Sequence, residues 1–110
     1  MTHKIRAIID PIRTLAFGAI GVNYAAVGAA VTDPIRILKF DNLTDVDLLV
    51  SIDGTTDHFV IPTTGFIVLD VCAKKVRDDG FFIKDGTIFY VKRLGAAPST
   101  GSLYITVIHA

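Results

Sequence analysis

The chain contains no Glu, no Gln and no Trp, and only one Cys and one Met among its 110 residues. Without Glu and Gln, two of the better helix formers are missing, so long surface helices have little to be built from. A single Cys cannot close an internal disulfide, and nothing in the chain depends on an oxidising compartment. Cys72, within Val68-Leu69-Asp70-Val71-Cys72-Ala73, reads as a small buried thiol. Net charge is missing too: 11 Lys and Arg balance 11 acidic residues, every one of them Asp. Nonspecific nucleic-acid binding needs uncompensated cations facing phosphates, so direct contact with nucleic acid is not expected. The one basic run, Lys74-Lys75-Val76-Arg77, is offset at once by Asp78-Asp79 and reads as a solvated loop. Near the start, Lys4 and Arg6 supply cations, but Asp10-Pro11 and Arg13 interrupt the sequence before an apolar stretch forms, which argues against a signal peptide.

What is present points to strands. Ile, Val and Thr occur 14, 11 and 11 times, about a third of the chain, and β-branched side chains suit a pleated surface. Three Asp-Gly pairs, Asp53-Gly54, Asp79-Gly80 and Asp85-Gly86, supply tight turns. At this length the chain forms one domain with one core. Turn signals from Asp33-Pro34 onward bound candidate strands at 35–41, 47–53, 57–61, 65–71, 81–84, 87–93 and 102–109. That spacing predicts an all-β fold: an antiparallel β-sandwich or jelly-roll-like barrel of about eight short strands. The segments 41–45 and 51–57 read as hairpin connections, and the uncharged stretch 94–101 as a long loop leading into the last strand.

Two regions precede this run of strands. Residues 1–13 are broken by Pro11 and read as an extended arm or edge strand, with the sandwich domain occupying 14–110. Residues 14–32 carry no charge over 19 positions, close to the length of a membrane span. Their content of Gly18, Gly21, Asn23, Tyr24 and Gly28 with several Ala is only moderately apolar, so two strands joined at the glycines explain them better than a helix in a bilayer.

The hydrophobic fraction is 51%, more than one small core can hide. On the last strand Leu103, Ile105 and Val107 share one face while Tyr104, Thr106 and Ile108 share the other, which is only half polar. Phe89 and Val91 likewise oppose Ile88, Tyr90 and Lys92, and the adjacent Phe81 and Phe82 cannot both point inward from a strand. Surplus apolar faces imply cover by neighbours, hence a homo-oligomer or a partner protein. Aromatic anchors favour Phe81, Phe82, Tyr90, Tyr104 and Ile108 as the interface residues.

Catalytic and metal motifs have little support. His3, His58 and His109 lie outside any local catalytic signature, and a cluster of His58 with Asp57 and Asp53 reads first as a solvated turn. Asp41, Asp45, Asp47, Asp53 and Asp57 gather near turns as calcium ligands would, but Asp also favours turns for its own hydrogen bonds. There is no CxxC, no HExxH and no phosphate-cradling glycine loop. The expectation is a protein that is not an enzyme and has no cofactor or metal.

Several stretches nevertheless look familiar together. Ile35 to Asp47, with its Asn42-Leu43-Thr44-Asp45, is followed by Val50-Ser51-Ile52-Asp53-Gly54-Thr55-Thr56-Asp57-His58 and Pro62, then Tyr90-Val91-Lys92 and Gly101-Ser102-Leu103-Tyr104. Over roughly residues 14–110 this pattern resembles small structural proteins of tailed-bacteriophage virions. The resemblance implies a non-catalytic β-sandwich, made in the bacterial host cytoplasm and repeated in the virion. It would act as a capsid decoration or cement protein, or as a head-tail junction or tail component. Its partners would be further copies of itself and other virion proteins (capsid, portal or tail), with no membrane. The alternative is a small monomeric β-sandwich module that binds carbohydrate or protein.

Overall fold

A computed structural model describes residues 8–32, 35–70 and 86–109. Among the described residues nine strands follow in order: β1 (Ile8–Ile9), β2 (Arg13–Ala16), β3 (Ala25–Val27), β4 (Ile35–Asn42), β5 (Leu48–Ser51), β6 (Phe59–Ile61), β7 (Phe66–Asp70), β8 (Phe89–Arg93) and β9 (Ser102–His109). They form two antiparallel sheets packed as a sandwich. The larger, sheet A, runs β1-β9-β4-β7 with β2 also on β9, and the smaller, sheet B, runs β3-β8-β5-β6. The all-β sandwich expected from composition and turn spacing is what forms. The candidate strand 81–84, Cys72 and the basic run at 74–77 lie outside the described residues.

The uncharged segment 14–32 folds as two strands, as its glycines suggested, but not as a hairpin. β2 belongs to sheet A and β3 to sheet B, and the short 3-10 turn Phe17–Ala19 lies on the crossing between them. Within 8–16 the chain pairs twice with the same neighbour, β9: Ile9 opposes Ile108, and Arg13 opposes Ile105. Between these pairs Asp10, Pro11 and Ile12 face only Thr106 and Val107, a one-residue slip. Pro11, which has no N–H to give to a ladder, lies in that gap.

One expectation needs correction. Residues 41–45 do not make a hairpin connection, because β4 lies in sheet A and β5 in sheet B; the segment is a corner that carries the chain between layers. The reason is Asn42, the last residue of β4, which is fully buried. Its Nδ2 donates to the carbonyls of Val46 at 2.9 Å, Ile61 at 2.9 Å and Pro62 at 3.2 Å. Its Oδ1 accepts from the Thr44 N–H at 3.0 Å and the Thr44 hydroxyl at 2.6 Å. A buried amide satisfied on both sides fixes the corner toward sheet B. The 51–57 connection, by contrast, does join a paired hairpin, β5 to β6.

Between the layers, alternation places Leu38 and Phe40 of β4 and Leu103, Ile105 and Val107 of β9 against Leu48, Val50, Ile61, Phe89 and Val91 of sheet B, all fully buried. Phe40 joins the layers, its ring centroid 5.9 Å from Phe89 edge-on and 6.0 Å from Phe59. Such tilted and edge-to-face pairs add to the burial of the rings themselves.

Candidate functional site

With one core filled, the two outer faces are the surfaces left to act. On sheet B the outer face is covered by the chain itself at Tyr90, while Val60 on β6 is 49% exposed. The loop after β5 folds back so that a Cβ on Gly54 (φ +85°) would lie 3.3 Å from the Tyr90 ring. Ser51, fully buried, takes part in the knot that holds this loop: its hydroxyl lies 2.8 Å from Asp53 Oδ1 and accepts from the Gly54 N–H at 2.9 Å. Asp53 Oδ1 accepts from the N–H groups of Thr55 and Thr56, each at 2.8 Å. Led by the Thr56 and Thr55 N–H groups, these bonds hold the Asp53 carboxyl well below the usual carboxylate range.

Beside this loop Tyr24, Asp57 and Lys92 form a small polar cluster. The Tyr24 hydroxyl donates to Asp57 at 2.5 Å, and Lys92 Nζ lies 3.5 Å from the same carboxylate and 4.6 Å above the Tyr24 ring. The Tyr24 bond lowers the Asp57 pKa, while burial, followed by that bond, keeps the Tyr24 hydroxyl protonated well beyond its ordinary range. His58 points elsewhere, its Nδ1 accepting from the Ile52 N–H at 3.1 Å. Asp53, Asp57 and His58 thus have separate partners and do not converge on one reacting centre. Asp45 receives the Ser99 hydroxyl and N–H, Asp47 receives the Thr63 N–H, and Asp41 pairs with Lys39, so each turn aspartate binds groups of the chain. Among the described residues no group of three or more His, Cys or Asp side chains could hold a metal ion.

Sheet A presents a different outer face. Registers across β9, β4 and β7 set three level rows: Ile108, Ile37 and Asp70; then Thr106, Lys39 and Val68; then Tyr104, Asp41 and Phe66. Phe66 and Val68 are 63% and 53% exposed, Ile9 extends the first row at 65%, and Leu43, just past β4, is 55% exposed. Polar groups interrupt this apolar surface at Asp70, at Thr106 and at an ion pair in which Lys39 Nζ lies 3.4 Å from Asp41 and 5.2 Å over the Phe66 ring. Exposed apolar side chains gathered on one sheet face mark an interaction surface more than a solvated one.

The sequence-derived interface residues divide accordingly. Tyr104 and Ile108 lie on the sheet A face, whereas Tyr90 lies on the other side of the molecule beneath Gly54. Phe81 and Phe82 lie outside the described residues. The face also holds Phe66, Val68 and Leu43, which sequence reasoning missed. A usable signal was there in Phe66-Ile67-Val68-Leu69, apolar on both faces of a strand.

No protein-family model matches the chain, and no similar curated protein or solved structure was found. Among the described residues no helix is long and apolar enough to cross a membrane.

Proposed function

We propose that this chain is a non-catalytic structural protein of a tailed-bacteriophage virion, which self-assembles and packs on other virion proteins as a decoration or cement protein or as a head-tail junction or tail component. The observation that carries this reading is the outer face of sheet A, where Phe66 and Val68 of the edge strand β7, Ile9 of β1 and Leu43 just past β4 lie exposed together. Such a face suits repeated contact with flat neighbouring surfaces better than it suits a small ligand, which is usually bound in a concave site. The resemblance of the sequence pattern to small virion proteins is consistent with this reading. The test is to purify particles through a density gradient and quantify the chain by mass spectrometry. The expected result is copurification at a fixed ratio to the capsid or tail proteins. Particles free of the chain would overturn the reading.

A further inference from the structure

We propose that two copies of this chain pack face to face through sheet A, about a twofold axis that lies in the interface, crosses the strands and passes at the level of Phe40. The inference rests on the assembly role proposed above and names the partner of that face as a second copy. Two sheets stacked on each other are related by an axis in the plane between them, and a closed pair uses the same patch twice. Only two directions keep the strands roughly aligned. An axis running along β4 would place each β4 residue over its own copy, bringing Lys39 onto Lys39 and Asp41 onto Asp41. An axis crossing the strands between these residues brings Lys39 of each copy onto Asp41 of the other. The charge pattern therefore selects the second, in which the intrachain pair of each copy is exchanged for a pair across the interface, two in all.

The apolar residues obey the same operation. Val68 is level with Lys39 and Phe66 with Asp41, so Phe66 of one copy meets Val68 of the other. One step further out, half-buried Ile37 meets exposed Leu43. Strand rise and spacing give the β9-β4-β7 face about 27 by 14 Å, roughly half the area per partner of a standard interface. A dimer of this size is expected to be weak, in the micromolar range, and to gain strength where many copies are held together on a particle.

The decisive experiment is sedimentation velocity of the full chain across the micromolar range, with circular dichroism to confirm folding. Wild type is expected to dimerise with concentration. Lys39→Asp alone and Asp41→Lys alone each set like charges against each other and should weaken the dimer at least tenfold. An equimolar mixture of the two variants should restore dimers, and the double exchange Lys39→Asp/Asp41→Lys should pair with itself but not with wild type. Wild-type dimers that ignore these substitutions, or a chain that stays monomeric, would overturn the proposal. In either case the chain's presence in purified particles would leave the virion role standing, so the two ideas fail separately.

Discussion

Asn42 commits both ends of its side-chain amide to the corner and to the end of β6 in sheet B, and Thr44 and Asp45 complete the knot: the Thr63 hydroxyl donates to the Thr44 carbonyl at 2.7 Å, and the Ser99 N–H donates to Asp45 at 2.8 Å. Asn42→Ala would leave the Thr44 N–H and several carbonyls without this partner in a buried place. It is expected to lower stability by about 3 kcal/mol in urea denaturation; a loss below about 1 kcal/mol would mean that water replaces the amide. The same corner explains Gly101, at φ +87°, where a Cβ would lie 1.9 Å from the Leu43 carbonyl oxygen and 2.9 Å from the Thr44 Cα. Gly86 has a similar φ of +89° with open space around it. Gly86→Ala should therefore cost about 1 kcal/mol from backbone conformation alone. Gly101→Ala should cost at least about twice that, because backbone must also move. Equal losses in the two melts would remove the steric argument.

At the scale of elements, ionised carboxylates hold two connections: Asp53 and Asp57 the loop between β5 and β6, and Asp45 the stretch before β9 through Ser99. Asp53, Asp57 and Asp45 all have folded pKa values below the ordinary one, so the unfolded chain takes up protons first as pH falls. Their contribution is complete above about pH 4, near the unfolded carboxylate pKa, and is lost as pH drops through the lower folded values. Thermal melts should be flat from neutrality to about pH 4 on this account and decline below it, with Asp53→Asn giving a shallower decline. A decline unchanged in that variant would assign the acid sensitivity to other groups. Strand existence was legible because period-2 patterns and Asp-Gly turns are local: the expected 102–109 matches β9, and 65–71 and 87–93 enclose β7 and β8. Which strands pair was not legible. The polar residues 41–45 look the same in a hairpin and in a corner, and only the depth of Asn42 separates them. Tyr90 and Tyr104 are equally plausible anchors by sequence, yet one lies beneath a loop of its own chain and the other on an open face, because loop paths are set by tertiary packing.

Considered whole, the molecule is two sheets joined through one continuous aromatic and aliphatic layer, and Phe40 of sheet A meets the rings of Phe59 and Phe89 of sheet B there. Phe40→Ala should cost about 3–5 kcal/mol, a large part of the roughly 5–15 kcal/mol typical of a domain. Calorimetry should show a midpoint lowered by on the order of 20 °C; a shift of only a few degrees would mean that the rings of Phe59 and Phe89 close the gap. Sheet A also has a feature with consequences in time. β9 takes β1, β2 and β4 as its neighbours, and the bond from His109 Nε2 to Asp10 spans 99 positions of sequence. A hairpin such as β5–β6 can form within about 1–10 μs, but pairings this distant fold over milliseconds to seconds. Until β9 docks, β2 and β4 have no neighbour between them, and the inner apolar side chains Leu38 and Phe40 of β4 are open to other chains. The arrival of β9 therefore both completes the sheet and ends the interval in which the nascent protein is most prone to aggregate.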